Sequence, residues 1–184
     1  MVTLDMSSKF LAYAVWEDGN LLSYGKIYPN DNGDNAIGSY ARIILATFDP
    51  PIHMVVYESA FMGNNANVMK VLSKVAGSVV AGFYLLGVRK FVAVPPITWQ
   101  NGIKVPKTSK ESYQELRDRN PGRSQSWLKS QDRLNRKQKI IDVVNARFGL
   151  SLTMEDNDIA DAIGIGCHMI DNTGVFNGLQ KEVV

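Results

Sequence analysis

Hydrophobic positions along this chain recur in two rhythms. Phe10-Leu-Ala-Tyr-Ala-Val-Trp16 is rich in strand formers, and Val2-Thr3-Leu4 before it is a short apolar start. Asp18-Gly19-Asn20 is a hairpin signal, so Leu21 to Tyr28 is predicted to return as a third strand. His53-Met-Val-Val-Tyr57 is a continuous apolar run of the kind that forms a buried strand. Phe91-Val-Ala-Val94 is another, stopped by Pro95-Pro96. The second rhythm is helical. Ile43, Ile44 and Phe48 set a helix over 39–48, ended by Asp49-Pro50-Pro51. Val68, Val71, Leu72, Val75, Val79, Phe83 and Leu86 set a long one over 65–86, with Gly87 as its cap. Leu134, Ile141, Val144 and Phe148 predict a helix from about Gln131 to Phe148, closed by Gly149. A last helix is predicted from near Asp158 to about Asp171. Residues 100–130, rich in Lys, Ser and Asn and holding Pro106 and Pro121, read as a long irregular segment. Hairpins first and crossovers later predict a mixed sheet with helices on its faces, an α/β layer architecture in one domain over 1–184.

Composition narrows the class. The chain has 184 residues, 45% hydrophobic and 21% charged, which excludes disordered and fibrous proteins. Its one cysteine, Cys167, excludes a disulfide framework and a Cys-rich metal site, and fits a reducing compartment such as the cytoplasm. No apolar run is seen to reach the roughly 18 residues of a membrane helix, so no membrane partner is expected.

The net charge of +2 conceals a split. Residues 101–150 carry twelve bases against five acids, a net +7; the remainder carries eight against thirteen, a net −5. One basic face on an acidic body suits a polyanion, although a solvated helix and loop would give the same count.

Four acids stand at informative positions. Asp5 ends the first strand and Glu58 ends the buried strand 53–57. If those strands are neighbours, their tips lie side by side. Asp158 and Asp161 are spaced i, i+3 and share one face at the start of the last helix. Four clustered carboxylates need counter-charge, and hard divalent cations with oxygen ligands supply it. Two such ions about 4 Å apart suit phosphodiester hydrolysis. Plainer roles exist: Asp5 as a turn acid, Asp156 or Asp158 as a helix cap. Glu58, between Met-Val-Val-Tyr57 and Ala60-Phe61, is a poor place for an idle charge.

Three stretches together resemble the RuvC-type Holliday junction resolvases of the ribonuclease H-like superfamily. They are Leu4-Asp5 with Ser7-Ser8, Tyr57-Glu58-Ser59-Ala60-Phe61-Met62-Gly63-Asn64-Asn65-Ala66-Asn67, and Asp158-Ile-Ala-Asp161-Ala ending in His168. The resemblance implies a five-stranded ribonuclease H-like sheet. It also implies a homodimeric endonuclease that nicks two strands of a four-way DNA junction, leaving 5′-phosphate and 3′-hydroxyl ends. It implies two Mg²⁺ ions, with Mn²⁺ as a substitute, on Asp5, Glu58, Asp158 and Asp161. Phe61 matches an aromatic residue placed against junction bases, or packs in the core. Lys137 matches a functional lysine lying before a helix, a role that Arg136 or Lys139 could fill. The helix over 65–86 matches the dimer contact, or is all core. Lys104, Lys107, Lys110, Arg123, Arg136, Lys137 and Lys139 are the expected DNA contacts. Trp99 and Trp127 either stack on bases or cover the core. Two departures stand out. Met6-Ser7 replaces the family's Pro-Gly, and 104–130 is longer and more basic than in bacterial members, which is the look of a bacteriophage version. The alternatives are a non-catalytic junction-binding protein and a nuclease acting on RNA–DNA hybrids.

Overall fold

The structure is a computed structural model, and residues 1–29, 33–59, 66–105 and 107–174 are described. Five strands form one sheet: β1 (Val2–Met6), β2 (Leu11–Glu17), β3 (Asn20–Ile27), β4 (Met54–Glu58) and β5 (Lys90–Val94). Their order across the sheet is β3-β2-β1-β4-β5. β1 to β3 are antiparallel, whereas β1, β4 and β5 run parallel. The hairpin between β2 and β3 forms where expected. Asp18 (φ 48°) and Gly19 (φ 83°) are both left-handed, as a two-residue turn of this hand requires. β1 is the strand at which the chain order reverses, and the mouth of such a switch point is where open α/β sheets bind ligands.

Strand alternation decides what faces what. Val2 and Leu4 of β1 point to one core with Val55 of β4, and that core is covered by α1 (Gly33–Thr47) and α2 (Ala66–Leu85). Ala12, Ala14 and Trp16 of β2 and Met54 and Val56 of β4 point to the other core, under α6 (Asn157–Thr173). Thr3 and Asp5 fall on that second face, as does Glu58, two residues after Val56. Both strand-tip acids therefore share the face of α6, placed there by the period of two in each strand and the parallel register of β1 with β4.

α6 packs unusually close. A Cβ on Gly166 would overlap the Trp16 indole, and one on Gly164 would come within 2.8 Å of Trp99 Cζ3. The bare backbone at Gly166 lets the helix approach the sheet, and that at Gly164 lets it approach Trp99 of the helix after β5. A buried hydroxyl fixes the approach. Trp16 Nε1 donates to Thr3 Oγ1 at 2.9 Å, and Thr3 Oγ1 donates onward to the carbonyl of Ala162 at 2.7 Å. That carbonyl is one residue past Asp161, so the bond sets the height of α6 over β1.

The segment over 100–130 is more ordered than its composition predicts. It holds the end of α3 (Pro96–Gly102), all of α4 (Lys110–Asp118) and the start of α5 (Gln125–Phe148). Ser109 and Ser124 cap α4 and α5, accepting from the backbone N–H of Ser112 and Trp127. Neither helix start has an apolar stripe, which is why hydrophobic periodicity passes over them. α5 begins six residues before the predicted start, and Lys137 lies within it, as in the predicted helix from Gln131, and not before a helix as the resemblance implies. α1 likewise begins at Gly33, six residues before the predicted helix over 39–48.

α2 corrects one expectation. By length and composition it is apolar enough to cross a membrane, interrupted as it is by Lys70 and Lys74. Val75, Val79, Gly82 and Phe83 are buried, on the face that packs against α1. Val68 and Val71 of the predicted stripe are exposed, so the stripe is not all core, and Tyr84 and Leu85 beside it are exposed too.

Thr3→Val keeps the shape of the side chain while leaving the Trp16 N–H and the Ala162 carbonyl without their buried partner. The expected cost is about 2–3 kcal/mol, or roughly 4–12 °C in Tm at this chain length. Thermal melts followed by circular dichroism check it, with Thr3→Ser expected to stay close to wild type.

Candidate functional site

The parallel register pairs Val2 with Val55, Thr3 with Val56 and Leu4 with Tyr57. The next step in that register sets Asp5 beside Glu58. α6 starts across these two tips. Asp158 is in its first turn, and Asp161 follows one turn later on the same side. Asp5, Glu58, Asp158 and Asp161 all line one cleft of about 320 Å³, together with Arg133, Arg136 and Lys137 of α5. All four acids expected from the strand and helix pattern therefore converge.

Asp156 takes the capping role. Its carboxylate accepts from the backbone N–H and the hydroxyl of Thr153, both at 3.0 Å, closing a capping box just before α6. That frees Asp158 and Asp161 for the cleft.

The site is electrostatically crowded. Burial pushes the Asp5 carboxyl well up, and the charges of Asp161 and Asp158 push it further, against the pull of Lys137 and Lys26. Asp161 is raised by burial too, with Glu58 and Asp158 adding to the shift and Lys137 opposing it. Glu58 rises to about 7 through burial and the nearby Asp5, with the Trp99 hydrogen bond and the charges of Lys137 and Arg133 holding it back. Three acids that resist ionisation in one cleft mark a functional site more often than a structural one.

Two lysines bridge the acids. Lys137 Nζ lies 3.6 Å from Asp158 Oδ1 and 3.5 Å from Asp161 Oδ2, and it also donates to Asn157 Oδ1. Lys26 Nζ, reaching over from β3, sits 3.2 Å from Asp158 Oδ2 and donates to the Glu155 carbonyl at 2.7 Å. Among the described residues, no three acids are drawn together into a ready chelate. The donor set nevertheless fits a hard cation. Asp161 Oδ1 is buried and has no hydrogen-bond partner among the described residues, an orphan oxygen that a cation would satisfy.

The other expected residues divide. Arg136 and Lys137 line the cleft. Lys139 is exposed on another side of α5 and does not line it, nor do Lys104, Lys107, Lys110 or Arg123. Arg123 instead stacks on Trp127, 5.1 Å from the ring centroid. Phe61 and the run Ala60 to Asn65 lie outside the described residues. Trp99 is fully buried, so its role is in the core and against Glu58. In place of Pro-Gly, Met6-Ser7 closes the β1–β2 turn by side chain. Ser7 Oγ accepts from the Phe10 N–H at 3.1 Å and donates to the Phe10 carbonyl at 2.9 Å.

Lys26 and Arg133 were not singled out by sequence reasoning. For Arg133 a signal existed. It lies four residues before Lys137 on the same helix, so a helical reading of that stretch places it beside the candidate lysine. Lys26 had none, because its place depends on the order of the strands.

The same fold occurs in two solved structures of RuvC from Thermus thermophilus. RuvC in complex with a Holliday junction substrate matches with a TM-score of 0.65 at 15% identity, over 95% of this chain and 96% of that chain. The Thermus thermophilus RuvC structure matches with a TM-score of 0.61 at 15% identity, with the same coverage of both chains. No protein-family model and no curated protein matches the chain. The mixed five-stranded sheet flanked by helices is thus a RuvC-like, ribonuclease H-like fold.

The raised carboxyl pKa values make the metal-free protein pH-sensitive. Between about pH 4 and pH 7 the folded cleft holds protons that an unfolded chain has already released, so stability falls as pH rises through that window. In EDTA the melting temperature is expected to be lower at pH 8 than at pH 5.5. Asp161→Asn is expected to restore at least about 1 kcal/mol at pH 8, or roughly 2–4 °C. Thermal melts of both proteins at the two pH values check this.

Proposed function

We propose that this protein is a divalent-metal-dependent endonuclease that cuts branched DNA, with four-way junctions as its substrate class. The observation that carries the reading is the convergence of Asp5, Glu58, Asp158 and Asp161 at the carboxyl ends of β1 and β4, beside Arg133, Arg136 and Lys137. The fold supports it, since a RuvC of the same fold holds a Holliday junction substrate. The four carboxylates would hold Mg²⁺, or Mn²⁺ in its place. Such ions make bound water a nucleophile at neutral pH and stabilise charge on the leaving oxygen.

The protein's own groups do the rest. Arg133 and Arg136 present planar donors that suit phosphate oxygens. Lys137 brings an ammonium next to the acids, where charge builds on the phosphate during cleavage. The basic stretch around α4 and the start of α5 would bind backbone phosphate at a distance from the cleft, fixing position without reading sequence. The exposed apolar residues of α2, among them Val71, Tyr84 and Leu85, suit pairing with a second copy. Two cleft copies would then meet the two-fold symmetry of a junction. The cytoplasm, with its reduced thiols, is the proposed location.

Asp5→Asn and Asp161→Asn are each expected to lower junction cleavage in Mg²⁺ by at least about a thousandfold while junction binding in EDTA persists. A gel assay with a labelled four-way junction reads both. Cleavage by both variants at the wild-type rate would remove the site assignment, and binding without any nicking by the wild type would indicate a scaffold. A preference for RNA–DNA hybrid over the junction would move the substrate class.

Junction affinity is expected to fall about a hundredfold between roughly 50 and 200 mM salt if four phosphates are contacted. Leu85→Glu is expected to shift the sedimentation coefficient from dimer to monomer.

A further inference from the structure

Glu58 has a buried partner, Trp99, that its proposed metal-binding role does not explain. The chain leaves Val94, the residue paired with Glu58 in the sheet, and turns at once through Pro95 and Pro96. Ser59 N–H donates to the Val94 carbonyl at 2.9 Å, which holds the two tips together. Pro96 opens α3, where a missing N–H is harmless. One helical turn later Trp99 lies back over the tip it came from. Its Nε1 donates to Glu58 Oε2 at 2.8 Å, and the whole residue is buried.

The far side of the ring is also fixed. A Cβ on Gly164 would come within 2.8 Å of Trp99 Cζ3, so only glycine leaves the ring its seat. Gly164 is three residues past Asp161 on α6. A single rigid ring thus touches the tip that carries Glu58 and the helix that carries Asp161.

We propose that Trp99 is a positioning residue for the carboxylate cluster, holding Glu58 Oε2 so that Oε1 is the oxygen turned to a bound cation. The assignment rests on the metal-dependent reading above. A carboxylate free to rotate would present either oxygen and would lose rotamer entropy on each binding event. An indole donor fixes it beforehand, and the loss of such an outer partner typically costs 10–100-fold in metal affinity or activity. The ring has no access to solvent, so it does not itself meet DNA.

Trp99→Phe keeps an aromatic ring and removes the donor. Calorimetric titration with Mn²⁺ is expected to show affinity weakened about 10–100-fold, with junction binding in EDTA unchanged. Ile103→Val trims the same α3–α6 contact without touching Glu58, and its Mn²⁺ affinity is expected to equal wild type. A second measurement needs no change at Trp99. In ¹⁵N-indole spectra of the wild type, the Trp99 Nε1–H signal is expected to move on adding Mg²⁺ while that of Trp127 stays. In Glu58→Ala the Trp99 response is expected to vanish.

Wild-type Mn²⁺ affinity in Trp99→Phe, or a Trp99 signal indifferent to Mg²⁺ in a protein that binds it, overturns the positioning role and leaves the nuclease reading intact. Equal weakening in Ile103→Val reduces Trp99 to packing. A wild type that binds neither ion defeats the nuclease reading and this role with it.

Discussion

Asp5, Glu58 and Asp161 are half-buried within range of one another, and their charges oppose one another's ionisation. Much of the surrounding structure answers that repulsion. Lys137 bridges Asp158 and Asp161 from α5, and Lys26 reaches Asp158 from β3. Trp99 donates to Glu58. These partners come from elements far apart in the chain, so the cluster is a product of tertiary packing. Packing elsewhere has to offset its cost, and α6, which carries two of the four acids, is seated tightly over the sheet. Gly166 lets the helix come down on Trp16, Gly164 makes room for Trp99, and Thr3 fixes its height through Ala162. The same contact that stabilises the core thereby aims Asp161 into the cleft.

The acids were legible because each is placed by a local rule. Asp5 and Glu58 end strands, and the period of two sends them to one face. Asp158 and Asp161 obey the helical i, i+3 rule. Local rules suffice for these four because the parallel pairing of β1 and β4 and the lie of α6 do the remaining work. The counter-charges obey no local rule. Lys26 sits on an edge strand two places from β1, and only the strand order β3-β2-β1 brings its long side chain to Asp158. Trp99 reads as a flank of the basic segment until the turn at Pro95-Pro96 is seen to fold it back on Glu58.

The helices within 100–130 are not legible in the sequence for a related reason. Hydrophobic periodicity detects helices that bury a stripe, and α4 buries nothing. Its order is set by a serine cap and by its contact with α5, signals far weaker than a stripe. The basic residues there looked like a loop because charge hides helix.

The rows of charge on α5 give the split in net charge a geometry. Lys129, Arg133, Arg136 and Ile140 follow the spacing i, i+4, i+7, i+11, which is one helix face. Arg133, Arg136 and Ile140 line the carboxylate cleft. Lys129 continues the same face back toward the start of α5, where Arg123 stacks on Trp127. On the proposed function this row solves a problem the acids create. A phosphodiester approaching four carboxylates is repelled at short range, and a distant basic patch would not offset that, because screening limits its reach to about 10 Å. Cations on the wall of the cleft itself act inside that distance. The +7 window is therefore not a uniform basic face but two populations, a surface set away from the cleft and a short row on its wall. On the proposed function the first would gather the polyanion and the second would carry it past the charge it would otherwise avoid.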